Sequence, residues 1–334
     1  MNTIHTQQEL THCQFSLDSA IAEWVAQKRI RTGSEKTRQA YEDTMQAFRA
    51  FLSSGGLDLL SNPVDVARVA AIWASMRNEK SRKPGQDVSP STYNQRLAIL
   101  SSFYTFLNEN YKLDPAMPNP IETVKKHPVQ AYAACTLPID ADTLEKLTTI
   151  DRATPEGLRD YALLAVALYT GRRASELVGL RWEHVKIAGK KDKRVTLTFA
   201  HCKGNKVMRD TLDIETSAIL LEYLHAQYGK QLLQLRADAP VWVSYSRQNA
   251  GQAISAKTLS NICLAVLDTG KVHALRHTFA VGMIRSGAPI TELAGRLGHT
   301  DIKITQTYTK EIMGDDNPYG EKLTARFGLK RKGK

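Results

Sequence analysis

At 334 residues the chain is long enough for two ordinary domains, and its 45 lysines and arginines against 34 aspartates and glutamates leave a net charge of +11 at pH 7. A composition 42% hydrophobic and 24% charged excludes a disordered chain, and the polar N-terminus MNTIHTQQELTHCQF is not that of a signal peptide. No apolar run reaches the roughly 20 residues that span a bilayer, so a cytoplasmic protein without membrane contact is expected. Cys13, Cys135, Cys202 and Cys263 are scattered with no C-x-x-C pair, which points away from a disulfide framework or a cysteine zinc site. The positive charge makes polyanions, and nucleic acid first among them, the expected partner class.

Helix follows helix in the first third. In SLDSAIAEWVAQKRI the apolar Leu17, Ile21, Trp24 and Val25 recur at helical spacing, and Tyr41, Met45, Phe48 and Phe51 do the same behind a cap region at Ser34 and before a Gly-Gly stop. VDVARVAAIWASMR is a third helix. After the polar loop SRKPGQDVSP, STYNQRLAILSSFYTFLNEN is a fourth, with Leu97, Leu100, Phe103 and Leu107 inward. Arg38, Lys83 and Arg96 beside these stripes are either solvated faces or phosphate contacts. Between Leu113 and Pro138 five prolines gather with Lys125 and Lys126, the composition of an extended interdomain linker, so the boundary is placed near residue 128. Beyond it, ADTLEKLTTI and PEGLRDYALLAVALYT read as helices, RVTLTFAHCKGNKVMRDTLDI as strands folded back at Lys203 to Lys206, and ETSAILLEYLHAQY, SAKTLSNICLAVL, ALRHTFAVGMIRSG and TELAGRLG as further helices.

Three segments of the second half carry unusual residues together. TGRRASELVGLRW ends one helix at a Thr-Gly turn and opens the next with Arg173, Ser175 and Glu176. HALRHTFAVGMIRSG sets His273 and Arg276 three apart on one helix face, and LGHTDIKITQTYTK places His299 nine residues before Tyr308. In these motifs and their order, over about residues 135 to 312, the sequence resembles the tyrosine recombinase, or phage integrase, family. The resemblance implies a mainly α protein with a small β-sheet: an N-terminal helical core-binding domain that contacts DNA, residues 1 to 128, and an α+β catalytic domain with a C-terminal tail, residues 129 to 334. It further implies a site-specific DNA recombinase that cuts and rejoins double-stranded DNA through a 3′-phosphotyrosyl bond, working as a homotetramer on two paired sites through a four-way junction.

Carried over residue by residue, the resemblance makes Tyr308 the nucleophile, gives the scissile phosphate to Arg173 and Arg276, and gives His273 and His299 hydrogen bonds to that phosphate, His273 with a part in proton transfer. Lys203 takes the place of the general acid, with Lys206 its rival and Cys202 where relatives carry glycine. Glu176 supports Arg173. The chemistry fits: two guanidinium forks can grip the non-bridging oxygens at any accessible pH, and a phenol titrating near ~10 needs a base or cations beside it. No cofactor is expected, because the covalent bond conserves the energy of the broken one, and no phosphate-binding G-x-x-x-x-G-K-[ST] loop occurs.

Arg172 competes with Arg173, but counting back from Ser175 and Glu176 selects Arg173 and leaves Arg172 as a surface or phosphate-positioning residue. His273 and His277 are spaced as metal ligands are, without the glutamate a metalloprotease helix needs, so His277 is read as a packing or capping residue. Tyr319 lacks the spacing from LGH, and Ser175 has no visible triad partner. Two alternatives remain: a type IB topoisomerase, which uses similar chemistry but rejoins the original strand, and a catalytically silent DNA-binding accessory protein. No arm-binding domain is expected before Ser16. The two domains are expected to clamp one duplex, and the tail, with Leu323, Phe327 and Leu329, to dock on a neighbouring protomer.

Overall fold

The computed structural model describes residues 16–77, 88–111, 117–129, 138–189, 193–202, 206–299, 302, 305–306 and 325–327. The chain divides into two compact units, Met1–Gln130 and Ala131–Lys334.

The first unit holds the helices α1 (Leu17–Thr32), α2 (Glu35–Ser54), α3 (Pro63–Ser75) and α4 (Pro90–Asn110). Each starts where a side chain satisfies a backbone N–H that the helix cannot: Ser16 accepts from Ser19, Ser34 from Thr37, Asn62 from Val64 and Ser89 from Thr92, with Pro63 and Pro90 opening α3 and α4. The stripes read from the sequence meet in one core, where Trp24, Met45, Phe48, Leu97, Leu100, Phe103 and Leu107 are fully buried. Leu52, not Phe51, completes the inward face of α2. Tyr104, also fully buried, donates its hydroxyl to the Leu59 carbonyl at 2.9 Å.

Two expectations are corrected in this unit. Arg96 is not a freely solvated side chain: its Nη1 donates to the carbonyls of Trp73, Ala74 and Met76, and its guanidinium lies 5.2 Å over the Trp73 ring, which finishes the exposed C-terminus of α3. The described part of the proline-rich segment, residues 117–129, is not a simple extended linker either. Met117 and Ile121 are buried in the first core, the latter in a single 3-10 turn over Pro120–Thr123, because apolar side chains between the prolines still gain from burial. Arg38 spends its charge on Glu35 and Glu42, and Lys83 lies outside the described residues.

In the second unit α5 (Ala141–Glu145) leads through a 3-10 turn to α6 (Pro155–Thr170) and the short α7 (Ala174–Val178). A three-stranded antiparallel sheet follows, β1 (Val185–Ala188), β2 (Arg194–Cys202) and β3 (Lys206–Thr211) in that spatial order, and then α8 (Ile214–Tyr228), α9 (Ala256–Leu267), α10 (His273–Arg285) and α11 (Ile290–Leu297). The hairpin expected around Lys203 is β2–β3, whereas β1, four residues too short to show a period, has no counterpart among the expected elements. Leu197 and Phe199 of β2, Leu163 and Ala167 of α6 and Leu220 and Leu224 of α8 share one core. Among the described residues no helix is long and apolar enough to cross a membrane. Cys202 and Cys263 are both free thiols and buried.

Candidate active site

Three chain reversals bring the charged motifs together, and each is made by a glycine or a helix start. Helix α6 stops because Gly171 takes the left-handed conformation at φ +60° and returns its N–H to the Ala167 carbonyl at 2.9 Å. A β-carbon on Gly171 would stand 2.3 Å from Cδ1 of Phe279 on α10, so glycine also permits the close approach of the two helices. Arg173 then occupies the N-cap position of α7. There Glu176, its side chain only 2% exposed, accepts from the Arg173 backbone N–H through Oε2 and from its Nη1 through Oε1, each at 3.0 Å. The acidic partner expected for Arg173 is thus in place, and it holds both the main chain and the guanidinium of that residue.

The second reversal starts α10. His273, Arg276 and His277 fall on one face, and the His273 and His277 rings meet edge to face at 4.9 Å. Arg276 is buried, and its Nη1 donates to the Gly171 carbonyl at 2.9 Å and its Nη2 to the Leu297 carbonyl at 2.7 Å. The ends of α6 and α11 therefore orient this guanidinium.

The third reversal ends α11 at Gly298, φ +67°, after which the His299 N–H returns to the Ala294 carbonyl at 3.0 Å. Arg276 Nη2 lies 3.0 Å from His299 Nε2, and because arginine only donates, Nε2 accepts and Nδ1 carries the proton toward Thr305 Oγ1 at 2.9 Å. The electrostatics agree. Burial first, then the charges of Arg276, Arg173, His273 and Lys206, push His299 down to about 4. Burial followed by Arg276 and Arg173 lowers His273, and burial followed by His273 and Arg276 takes His277 down to about 4. Near neutral pH these imidazoles are uncharged while the arginines beside them stay cationic.

The structure thus brings Arg173, His273, Arg276 and His299 to one place with Glu176 beneath Arg173. Lys203 and Tyr308 lie outside the described residues. The neighbour of Lys203 is described: the Cys202 thiol at the end of β2 is pushed up to about 11 by burial, with Glu176 the next cause. Lys206, at the start of β3, donates from Nζ to the Gly298 carbonyl at 3.4 Å. His277 packs, as expected. Arg172 does not match its expectation. It is 3% exposed, its Nε donates to Asp210 Oδ2 at 2.7 Å and its guanidinium lies 5.1 Å over the Phe199 ring, so the side chain turns into the core rather than to the surface or a phosphate. Sequence reasoning singles out neither Asp210 nor Thr305. The one available signal for Asp210 is its place in the alternation Lys206, Met208, Asp210, a carboxylate on the inward face of a strand.

Residues 138–313 match the sequence profile of the phage integrase family, and residues 21–110 that of the phage integrase N-terminal SAM-like domain. The tyrosine recombinase XerC of Lacticaseibacillus casei (strain BL23) is 28% identical over 289 residues, covering 85% of this chain and 90% of its own. In fold the chain is similar to the XerH site-specific recombinase bound to palindromic difH substrate in a post-cleavage complex, with a TM-score of 0.62, 15% identity and coverage of 96% of this chain and 91% of that one. It is also similar to a lambda integrase tetramer bound to a Holliday junction, with a TM-score of 0.58, 14% identity and coverage of 90% and 83%.

Proposed function

The chain belongs to the phage integrase family, as a tyrosine recombinase that cleaves and rejoins DNA in site-specific recombination, and on that footing we propose that it works through a 3′-phosphotyrosyl bond made by Tyr308. The observation that carries the proposal is the convergence of Arg173 and Arg276 with His273 and His299 from three separate turns. Two fixed cations beside two neutral imidazoles suit an anionic pentacoordinate phosphorus, because the arginines offset charge on the non-bridging oxygens, while His299, with Nδ1–H toward Thr305 and Nε2 accepting from Arg276, orients one of those guanidinium groups.

The Tyr308 oxygen attacks phosphorus as the bond to the 5′-oxygen breaks. The phenol proton passes to His273, whose neutral form can accept it, and Lys203 protonates the departing 5′-oxygen. Attack by the 5′-hydroxyl of a partner strand then reverses the step, with no net change in bond type and no cofactor. Residues 1 to 128 are assigned the DNA-binding role, supported by the SAM-like match over residues 21–110, and residues 129 to 334 the catalysis. A homotetramer acting on two duplexes through a four-way junction is supported by the likeness in fold to the lambda integrase tetramer.

The test is to recover DNA covalently attached to the purified protein and sequence it. Wild type should yield an adduct at a defined duplex site, and Tyr308→Phe should bind that duplex as well as wild type and yield none. Adducts persisting in Tyr308→Phe sink the assignment, and relaxation of any supercoiled plasmid without paired sites points to a topoisomerase instead.

A further inference from the structure

The buried ion pair of Arg172 with Asp210 has no part in the chemistry above, yet it joins two segments that carry catalytic groups. Arg172 stands next to Arg173 in the turn between α6 and α7. Asp210 stands on β3, opposite Leu197 of β2, on the face shared by Phe199 and Met208. Both side chains are nearly inaccessible, 2% and 4% exposed, and the bond between them is 2.7 Å. Among the described residues Asp210 is the one carboxylate in ion-pair distance of Arg172, and Arg172 Nη2 has no hydrogen-bond partner there, so the charge depends on Asp210. The second carboxylate oxygen lies 3.7 Å from Nη1 of Arg296 on α11, two residues before the Gly298 turn; that contact is half exposed and weaker. Along the same face of β3, Lys206 reaches the Gly298 carbonyl, and Met208 Sδ would stand 3.7 Å from a β-carbon at Gly298. One strand face thus touches the turn before Arg173 and the turn before His299, and its hairpin leads to Lys203.

We propose that Asp210 is a positioning residue, which through its buried ion pair with Arg172 holds strands β2 and β3 in register with the turn that carries Arg173, and so supports the general acid step assigned to Lys203. The inference rests on the assignment of Lys203 as the general acid. An apolar contact at this place would bind the strand to the turn without fixing its slide or tilt, whereas a charge-assisted bond has direction. The lever is long. At about 3.3 Å per residue the start of β3 is roughly 13 Å from Asp210, so a tilt of about 5° moves it by about 1 Å, a displacement of the size that can cost 100-fold in rate.

The experiment uses the full chain and, as probe, the duplex recovered from the covalent adduct, with either oxygen or sulfur at the scissile 5′-bridging position. Sulfur leaves without a proton. Asp210→Asn should slow cleavage of the oxygen duplex by about 100-fold, leave duplex affinity within about twofold, and recover most of the loss on the sulfur duplex. The double variant Arg172→Leu/Asp210→Leu removes the buried charges together and should be at least as resistant to heat as wild type, yet remain slow on oxygen and recover on sulfur. Equal slowing on both duplexes, or a double variant that cleaves the oxygen duplex normally, overturns the proposal. Hydrogen exchange on the DNA-free protein reads the same contact without any cleavage. Asp210→Asn should speed exchange at Phe199, Met208 and Arg173 and leave α8 unchanged, and unaltered exchange there overturns the positioning role. If wild type forms no adduct, the enzymatic assignment fails, and the exchange result alone decides whether the pair sets the register.

Discussion

Substituting Gly171 by alanine tests the close approach of α6 and α10 that orients Arg276. At φ +60° an L-residue carries the left-handed penalty of about 1–2 kcal/mol. The new β-carbon would stand 2.3, 2.8 and 2.9 Å from Cδ1, Cγ and Cε1 of Phe279, so the ring must shift within packed surroundings. Overpacking of this kind costs about 1–3 kcal/mol. Together the loss is about 2–5 kcal/mol, which in a unit of this size lowers the thermal midpoint by roughly 4–20 °C. Gly251→Ala is the control, since Gly251 sits at φ +76° in the same unit with nothing within 4 Å of the added carbon, and it should lose only the conformational part. Thermal unfolding of both variants, and of Gly171→Ala/Phe279→Leu, separates the two contributions: the double variant should regain most of the steric loss. Because the Gly171 carbonyl accepts from Arg276, adduct formation should fall in Gly171→Ala and not in Gly251→Ala. Equal losses of stability in the two single variants would refute the steric reasoning.

Glu176→Gln turns one of two accepting oxygens into a donor facing an N–H of Arg173, and should cost about 1.5–3 kcal/mol together with most of the cleavage rate; a variant with wild-type midpoint and rate contradicts the role of this carboxylate. An unfolded imidazole titrates near 6.5, whereas His277 and His299 in the folded chain titrate at about 4. Between those values the unfolded chain binds more protons, so the stability of the second unit should be full above about pH 6.5 and fall as pH drops through the window. Thermal midpoints from pH 7.5 to 5 check this, and a midpoint that rises on acidification is the contrary result. Lys203→Ala should cleave ordinary DNA slowly and a 5′-sulfur duplex nearly normally, and if Lys206→Ala alone shows that rescue the general acid is Lys206. In the first unit Tyr104→Phe strands the buried Leu59 carbonyl and should cost about 1–3 kcal/mol by denaturant unfolding, with a null effect speaking against that bond.

Short-range regularities are legible in the amino-acid sequence alone. The spacing of Trp24, Met45, Phe48, Leu97 and Leu100 puts them on one side of their helices whatever those helices pack against, and each is buried. Ser34 and Gly171 mark a helix start and a helix stop by local hydrogen bonding and left-handed geometry alone. The i, i+3 spacing of His273 and Arg276 and the N-cap relation of Arg173 to Glu176 are likewise properties of a few consecutive residues. The fates of Arg96, Arg172 and Asp210 are not legible there. A guanidinium on a helix or turn looks the same in sequence whether it meets water, phosphate, a helix end or a carboxylate. Arg172 meets its carboxylate 38 residues further along, and Arg96 caps a helix that ended some 20 residues earlier. Thr305 and the Gly298 carbonyl enter the site for the same reason, as partners that only the folded chain brings within 3 to 4 Å of His299 and Lys206. Local geometry is written in neighbouring residues, whereas the partner of a charge depends on where distant segments of the chain come to lie.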